Sequence, residues 1–179
     1  MTGTAREAAW AKLNLSLDVL GTRPDGFHDL RMIMQSVDLH DDVTVTLDDT
    51  GVCRAETNRS YLPCGADNVA VRAAQVFLER AGLGCGVHIR LYKRIPVCAG
   101  LGGGSSDAAA VLRALNRLTG AGFSRAQLEE LGALVGSDVP YCVAGGTMLA
   151  EGRGERLTPV TPMPVSYTHL RAHETVLDL

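Results

Sequence analysis

The residues that most clearly indicate a chemical function lie in a glycine-rich loop within Arg94–Ala108. Gly100, Gly102, Gly103 and Gly104 place four glycines in five positions. Without Cβ atoms, the backbone amides of such a loop can close around a ligand. An apolar stripe at helical spacing follows directly and predicts a helix whose first N–H groups point toward the same place. The loop and the helix start together predict a binding site for an anionic phosphate group.

Three interpretations of this loop differ in what they require. A Walker loop is excluded because no Gly-Lys-Ser/Thr sequence closes the motif. A dinucleotide-binding fingerprint nearly fits as Gly100-x-Gly102-x-x-Ser105, but the third glycine and a clear βαβ setting are missing. A flexible linker fits poorly because the glycines directly precede a strongly amphipathic helix. Phosphate binding is favoured, and Ser105 and Ser106 can cap the helix or face the phosphate.

The first elements of the chain are expected to be strands. Ala11–Val19 alternates apolar and polar residues, which is the pattern of a half-buried strand. Leu13, Leu15, Leu17 and Val19 form its expected buried face, and Lys12 and Asn14 share its polar face. After a turn at Gly21–Gly26, further strands are expected at Leu30–Val37 and Asp42–Leu47. The front of the chain is therefore expected to be an antiparallel meander.

Helices dominate the second part of the chain. Asp67 and Asn68 are expected to cap a helix that ends at Gly82, and Gly86–Tyr92 returns to strand. Ser105 and Ser106 are expected to open a second helix. Ser124 caps a third, which closes at Gly136. Strands first, then helices interleaved with single strands, predict an α+β fold.

The composition of the chain argues against several classes of function. The 179 residues carry a net charge of −3, so binding to nucleic acid by bulk electrostatics is not expected. No apolar run approaches the roughly 20 residues of a membrane span, and no secretory signal is visible. The five cysteines contain no CxxC pair, which indicates reduced thiols in a cytoplasmic protein and no zinc site.

The last residues differ in style from everything before them. The stretch PVSYTHLRAHET resembles the translation of an adapter used in preparing sequencing libraries. Residues 164–179 are therefore expected to be a read-through artefact, and residues 1–163 a single native domain. His169 and His173 lie four residues apart, but without a third ligand they do not indicate a metal site.

Four motifs in order give the chain a family resemblance. They are the strand Ala11–Leu15, the turn Arg23–His28, the loop Pro96–Ser106 and the segment Gly136–Pro140. Together they resemble the GHMP kinase superfamily, and within it the kinases that act on a cytidine-diphosphate-linked methylerythritol. The resemblance covers about residues 8 to 163. It implies the amino-terminal domain of this superfamily, with a fold like that of ribosomal protein S5 domain 2.

The resemblance also implies the reaction and its residues. ATP, with Mg²⁺, would phosphorylate the 2-hydroxyl of the cytidylated small-molecule substrate, a step in isoprenoid precursor synthesis. Asp138 would be the catalytic base, with Lys12 as its partner. Asn14, Phe27 and His28 would contact the substrate. ATP would be held by Pro96, Gly100, Gly102, Gly103, Gly104, Ser105 and Ser106 at its phosphates, and by Lys93 and Asn68 at its nucleoside.

The chain departs from the family pattern at three points. Cys98 stands where small residues are common in the loop, which does not block the chemistry. Phe27 stands where the family usually has Tyr, so one polar contact to cytidine is expected to be missing. Family members continue into a second α+β domain, which the adapter-like tail replaces here, so this chain alone is expected to be poorly active. Two alternatives stay open: a kinase for another small alcohol, and a non-catalytic module that binds nucleotide or RNA. The acidic balance argues against RNA.

Overall fold

The chain folds into one mixed sheet with helices packed on one face. The structure, a computed structural model, describes residues 2–22, 24, 26 and 28–162. The strands are β1 (Gly3–Thr22), β2 (His28–Asp48), β3 (Cys53–Thr57), β4 (Gly86–Tyr92), β5 (Thr147–Gly152) and β6 (Arg156–Pro159). The helices are α1 (Val69–Ala81), α2 (Gly103–Thr119), α3 (Arg125–Ala133) and α4 (Val139–Ala144). None of the described helices has the length and apolarity to cross a bilayer.

The second strand, β2, organises the sheet. It pairs with β1 on one edge, and on the other with β4 through Asp42–Asp48 and with β5 through Leu30–Gln35. β3 joins β4 in parallel, whereas all the other pairings are antiparallel. The two strands expected at Leu30–Val37 and Asp42–Leu47 are therefore one continuous strand, because both halves pair with the same neighbour, β1. The α+β class is confirmed, with a long hairpin in place of a three-stranded meander.

The prediction of which face of β1 is buried is wrong. Leu13, Leu15, Leu17 and Val19 are exposed, from 41% to 58%, whereas Lys12 is only 5% exposed. Beyond Lys12, every described residue of β1 is exposed, so the apolar side chains there have no covering layer. The pairing register also shifts between Asn14 and Ser16, so strict alternation does not hold along the strand. Lys12, Asn14 and Leu17 consequently share one face of the hairpin.

Two hydrophobic clusters hold the elements together. The larger lies between α1, α2 and the covered sheet face, and Phe77 at its centre meets Phe123 edge-on with ring centroids 5.3 Å apart. The smaller is built from Met32, Met34, Tyr141, Met148 and Ala150. The smaller cluster fastens α4 to β2 and β5, and α4 begins directly after Asp138.

Helix caps explain several boundaries. The Asn68 side chain accepts the Ala70 amide at the start of α1, and Gly82 ends the helix in a left-handed conformation, as expected. Ser124 caps α3 in a capping box with Gln127. The expected helix α2 is present, but the expectation that Ser105 and Ser106 open it is wrong, because α2 begins at Gly103 with Gly102 as its N-cap and no side-chain cap.

Candidate functional site

The glycine loop and the start of α2 enclose a cavity of about 320 Å³. We call it the loop cavity. Nearly all of the residues expected to contact ATP line it, although they come from two separate parts of the chain. These lining residues are Asn68, Lys93, Pro96, Gly100, Gly102, Gly103, Gly104 and Ser105.

Glycine is required where the loop enters α2. Gly100 and Gly102 have φ values of 74° and 70°, which side chains rarely adopt. A Cβ atom at Gly102 would also lie 2.9 Å from Lys12 Cγ. No side chain caps the start of α2, so the N–H groups of its first turn are not used by a cap. Such N–H groups can donate hydrogen bonds to an anion.

Ser106 does not reach this cavity. It is 2% exposed, and its hydroxyl donates to the Trp10 carbonyl of β1. Its role is to fasten α2 to the hairpin, which corrects the expectation that its hydroxyl caps the helix or faces a phosphate. Asn68 lines the cavity, but its amide is already engaged, accepting from Ala70 N at 2.9 Å and donating to Pro63 O at 2.7 Å.

A buried ionic triad lies beside the loop cavity. The Lys93 ammonium donates to Asp41 at 2.5 Å and also to Asp107, and all three side chains are at most 4% exposed. Asp107 has one further oxygen, Oδ1, that is buried without a hydrogen-bond partner. Burial raises the pKa of Asp107 to about 7, and the nearby Lys93 only partly opposes this. The triad therefore holds one carboxylate more than its single ammonium can neutralise.

Lys12 and Asp138 meet on the other side of the loop. Lys12 Nζ lies 3.3 Å from Asp138 Oδ2 and donates to Asn14 Oδ1 at 3.2 Å. The Lys12 amide also donates to the Leu101 carbonyl at 3.0 Å, so the strand is joined to the glycine loop. Asp138 occupies the N-cap position of α4, but its side chain does not cap the helix. Its carboxylate is therefore directed to Lys12.

A second cavity, of about 350 Å³, opens next to Asp138. We call it the hairpin cavity. Its wall is apolar at Leu17, Leu30 and Met32, and polar groups ring it at Asn14, His28, Ser137, Asp138 and Arg153. The structure thus brings Asn14 and His28 together with Asp138. Phe27, the third expected substrate contact, lies outside the described residues.

Sequence reasoning missed the triad. Asp41 falls in phase with Val43, Val45 and Leu47, all of them buried on one face of β2. A carboxylate in phase with a buried strand face is a signal that a partner must be present, and that signal is visible in the sequence. The partner itself, 52 residues away at Lys93, is not visible in the strand's own pattern. Within the described residues, no cluster of three His, Cys, Asp or Glu could hold a metal ion.

Part of the chain matches a known protein family. Residues 68–146, which include α1, the loop and α2, match the family described as GHMP kinases N terminal domain. The described chain therefore carries the amino-terminal domain fold of the GHMP kinases.

Two relatives that match most of this chain carry the same name. The chain is similar to the 4-diphosphocytidyl-2-C-methyl-D-erythritol kinase of Geobacter metallireducens, with 53% identity over 86% of this chain and 55% of the relative. The kinase of the same name from Acetivibrio thermocellus is 49% identical over 85% of this chain and 53% of the relative. A crystal structure of 4-(cytidine 5'-diphospho)-2C-methyl-D-erythritol kinase superposes with a TM-score of 0.70 at 41% identity, covering 87% of this chain and 55% of that one. The chain spans about half the length of these relatives.

Proposed function

We propose that this chain supplies the ATP-binding half of a kinase that phosphorylates the 2-hydroxyl of a cytidine-diphosphate-linked methylerythritol. One observation carries the proposal. Lys12 joins two cavities, because its backbone and methylenes contact the glycine loop while its ammonium pairs with Asp138 beside the hairpin cavity. A phosphate donor in the first cavity and an alcohol in the second would meet at this pair.

The chemistry required at that point suits these side chains. Phosphoryl transfer depends mainly on positioning and on neutralising charge. Asp138 would accept the proton of the attacking hydroxyl. The Lys12 ammonium would stabilise the negative charge that develops on the acceptor oxygen. Asn14 would hold the Lys12 ammonium in place, since it accepts one of its hydrogens.

The loop cavity would hold the phosphates of ATP. Backbone amides of the loop and of the first turn of α2 would donate to the phosphate oxygens. Mg²⁺ would enter as the counter-ion of ATP and would neutralise phosphate charge when bound. Mg²⁺ commonly takes most of its ligands from substrate phosphates and water, so it would need few ligands from the protein.

The hairpin cavity would hold the acceptor. Its apolar wall would pack against the methylerythritol carbon chain, and His28 would contact the cytidine. The names of the relatives support this acceptor, because they share this name at about half identity. The five cysteines are all unpaired, which supports the cytoplasm as the place of the reaction.

The decisive experiment replaces Asp138 by Asn in the protein of the relatives' full length. We expect Asp138→Asn to lower kcat by about a hundredfold or more while ATP affinity stays unchanged. Asp38→Asn makes the same chemical change at an exposed carboxylate that lines neither cavity, so it serves as the control and should leave kcat close to that of the parent protein. An unchanged kcat in Asp138→Asn would remove it from the role of base.

Measuring turnover of the full-length protein with different alcohols separates the proposed function from its two alternatives. Preference for a non-cytidylated alcohol would overturn the proposed acceptor but keep the kinase. ATP binding without any turnover would indicate a nucleotide-binding module.

We also propose that the native domain comprises residues 1–163 and that 164–179 are foreign. Residues 163–179 lie outside the described part of the chain. Sequencing the parent locus past codon 163 tests this directly. A native reading frame that continues with the PVSYTHLRAHET sequence would contradict it.

A further inference from the structure

We propose that Asp41 is the positioning residue of the loop cavity, and that Lys93 transmits the constraint set by Asp41 to α2 rather than acting as a nucleotide ligand. The inference rests on the proposed function in one respect, that the loop cavity takes ATP. Asp41 itself is completely buried and does not line that cavity. Any effect of Asp41 on a bound nucleotide must therefore pass through the groups that Asp41 holds.

The groups held by Asp41 are the first part of the glycine loop. Its Oδ1 accepts the amides of Arg94 and Ile95, at 2.5 Å and 2.8 Å. Its Oδ2 accepts the Lys93 ammonium at 2.5 Å. Three successive residues that leave β4 are thus fastened to one carboxylate at the middle of β2. The direction in which the chain enters the loop is set by these bonds.

Lys93 carries this constraint on to α2. Its ammonium also donates to Asp107 in the first part of α2, and a Cβ atom at Gly103 would lie only 3.4 Å from Nζ and 3.0 Å from Ile95 Cγ2. The first turn of α2 therefore packs directly on the residues that Asp41 fixes. Because the first loop residues and the helix start meet at this point, the triad sets the spacing between loop amides and helix amides.

The Lys93 ammonium has little capacity left for a ligand. It is 4% exposed and already donates to two carboxylates. Its main chain is also held, since its amide donates to Asn58 Oδ1 at 2.8 Å and its carbonyl accepts from Asn58 Nδ2 at 3.3 Å. The expected contact between Lys93 and the nucleoside is thus replaced by a positioning role.

The test compares Asp41→Asn with two matched variants of the 179-residue chain. Asp42→Asn makes the same chemical change at the next residue, whose carboxylate pairs with the Arg94 side chain instead of the backbone. Val45→Ala removes buried volume from the same strand and lowers stability without touching the loop. We measure amide hydrogen exchange of the segment 93–102 without nucleotide, and ATP affinity by calorimetry well below the unfolding midpoint.

We expect Asp41→Asn to accelerate exchange at Arg94 and Ile95 and to weaken ATP binding by about tenfold or more, since charge-assisted bonds to the loop are lost. Both controls should keep the parent affinity within about twofold, because Asp42 bonds only the exposed side chain of Arg94 and Val45 packs in the larger hydrophobic cluster. Unchanged exchange at Arg94 and Ile95 would overturn the proposal. So would tighter ATP binding in Asp41→Asn, because a released Lys93 would then be binding the nucleotide itself.

The two proposals fail in different ways. If the parent chain binds no ATP, the proposed function fails, while the exchange measurement still decides whether Asp41 holds the loop. If Asp41→Asn does not fold, the parent protein decides. Arg94 and Ile95 must then exchange more slowly than the loop amides at Cys98–Gly100, and fast exchange at both would overturn the proposal.

Discussion

Asp107 provides a prediction in which stability changes with pH in an unusual direction. Asp107→Asn keeps the shape of the side chain and an oxygen that can accept from Lys93, but it removes the carboxylate that the triad leaves in excess. Burial raises the pKa of Asp107 from its ordinary value of 3.8 to about 7 in the folded protein. The folded protein therefore holds this proton more tightly than the unfolded chain does.

The magnitude follows from the two pKa values. They lie roughly three pH units apart, and at about 1.4 kcal/mol per unit this amounts to roughly 4 kcal/mol. The stabilisation is complete below about pH 4 and is lost as the pH rises through about 7. Between these values, Asp107 alone makes the free energy of unfolding fall by about 1.4 kcal/mol for each pH unit.

Urea unfolding at several pH values between 4.5 and about 8 measures this slope, provided that the transition is two-state. We expect the parent protein to lose stability more steeply with rising pH than Asp107→Asn does, and the difference to level off above about pH 7. Asp42→Asn, which removes an exposed carboxylate, is the control and should follow the parent slope. Parallel curves for the parent and Asp107→Asn would refute the reasoning about the triad's excess charge.

Three further predictions concern the loop, a cap and the core. Gly102→Ala should weaken ATP binding, because Gly102 has a φ of 70° and a Cβ would lie 2.9 Å from Lys12 Cγ; calorimetry showing unchanged affinity would contradict this. Ser124→Ala should lower the free energy of unfolding by about 1 kcal/mol through loss of the α3 cap, and an unchanged urea midpoint would contradict this. Phe77→Ala should lower it by roughly 3–5 kcal/mol, since Phe77 is completely buried; a loss of well under 1 kcal/mol would contradict the packing.

Local signals predicted the elements whose limits are set locally. The Asn68 cap and the Gly82 stop bound α1, and β4 runs over Gly86–Tyr92 as its alternation indicated. Ser124 likewise begins α3, because its capping box needs only residues three positions apart. In each case, the interaction that sets the boundary lies within a few residues of it.

Tertiary interactions overrode local pattern elsewhere. The alternation in β1 could not reveal which face is covered, because the covering helices come from later in the chain and reach only as far as Lys12. The register shift between Asn14 and Ser16 is likewise set by pairing with β2. Lys12 is buried for the same reason, since its partners Leu101 and Asp138 are remote in sequence.

In the candidate site, too, the locally determined features could be predicted from the sequence and the tertiary contacts could not. The glycine loop was visible as a motif, because close backbone approach requires residues without Cβ atoms. The pairing of Lys12 with Asp138 was expected from family resemblance, and the structure places the two atoms 3.3 Å apart. The Asp41 and Asp107 partners of Lys93 were not expected, because the phase of Asp41 along β2 indicates its burial but not which distant residue pairs with it.

The central claim is that the glycine loop and the start of α2 bind the phosphates of ATP. Titration of the isotopically labelled 179-residue chain with ATP, followed by amide NMR, tests it most directly. We expect the largest shifts at the amides of Gly100–Ser105, with smaller changes at Lys12, whose amide donates to the Leu101 carbonyl. ATP binding that reaches saturation without shifting the amide signals of Gly100–Ser105 would contradict phosphate binding by the loop. Shifts confined to the hairpin cavity around His28 would contradict it as well.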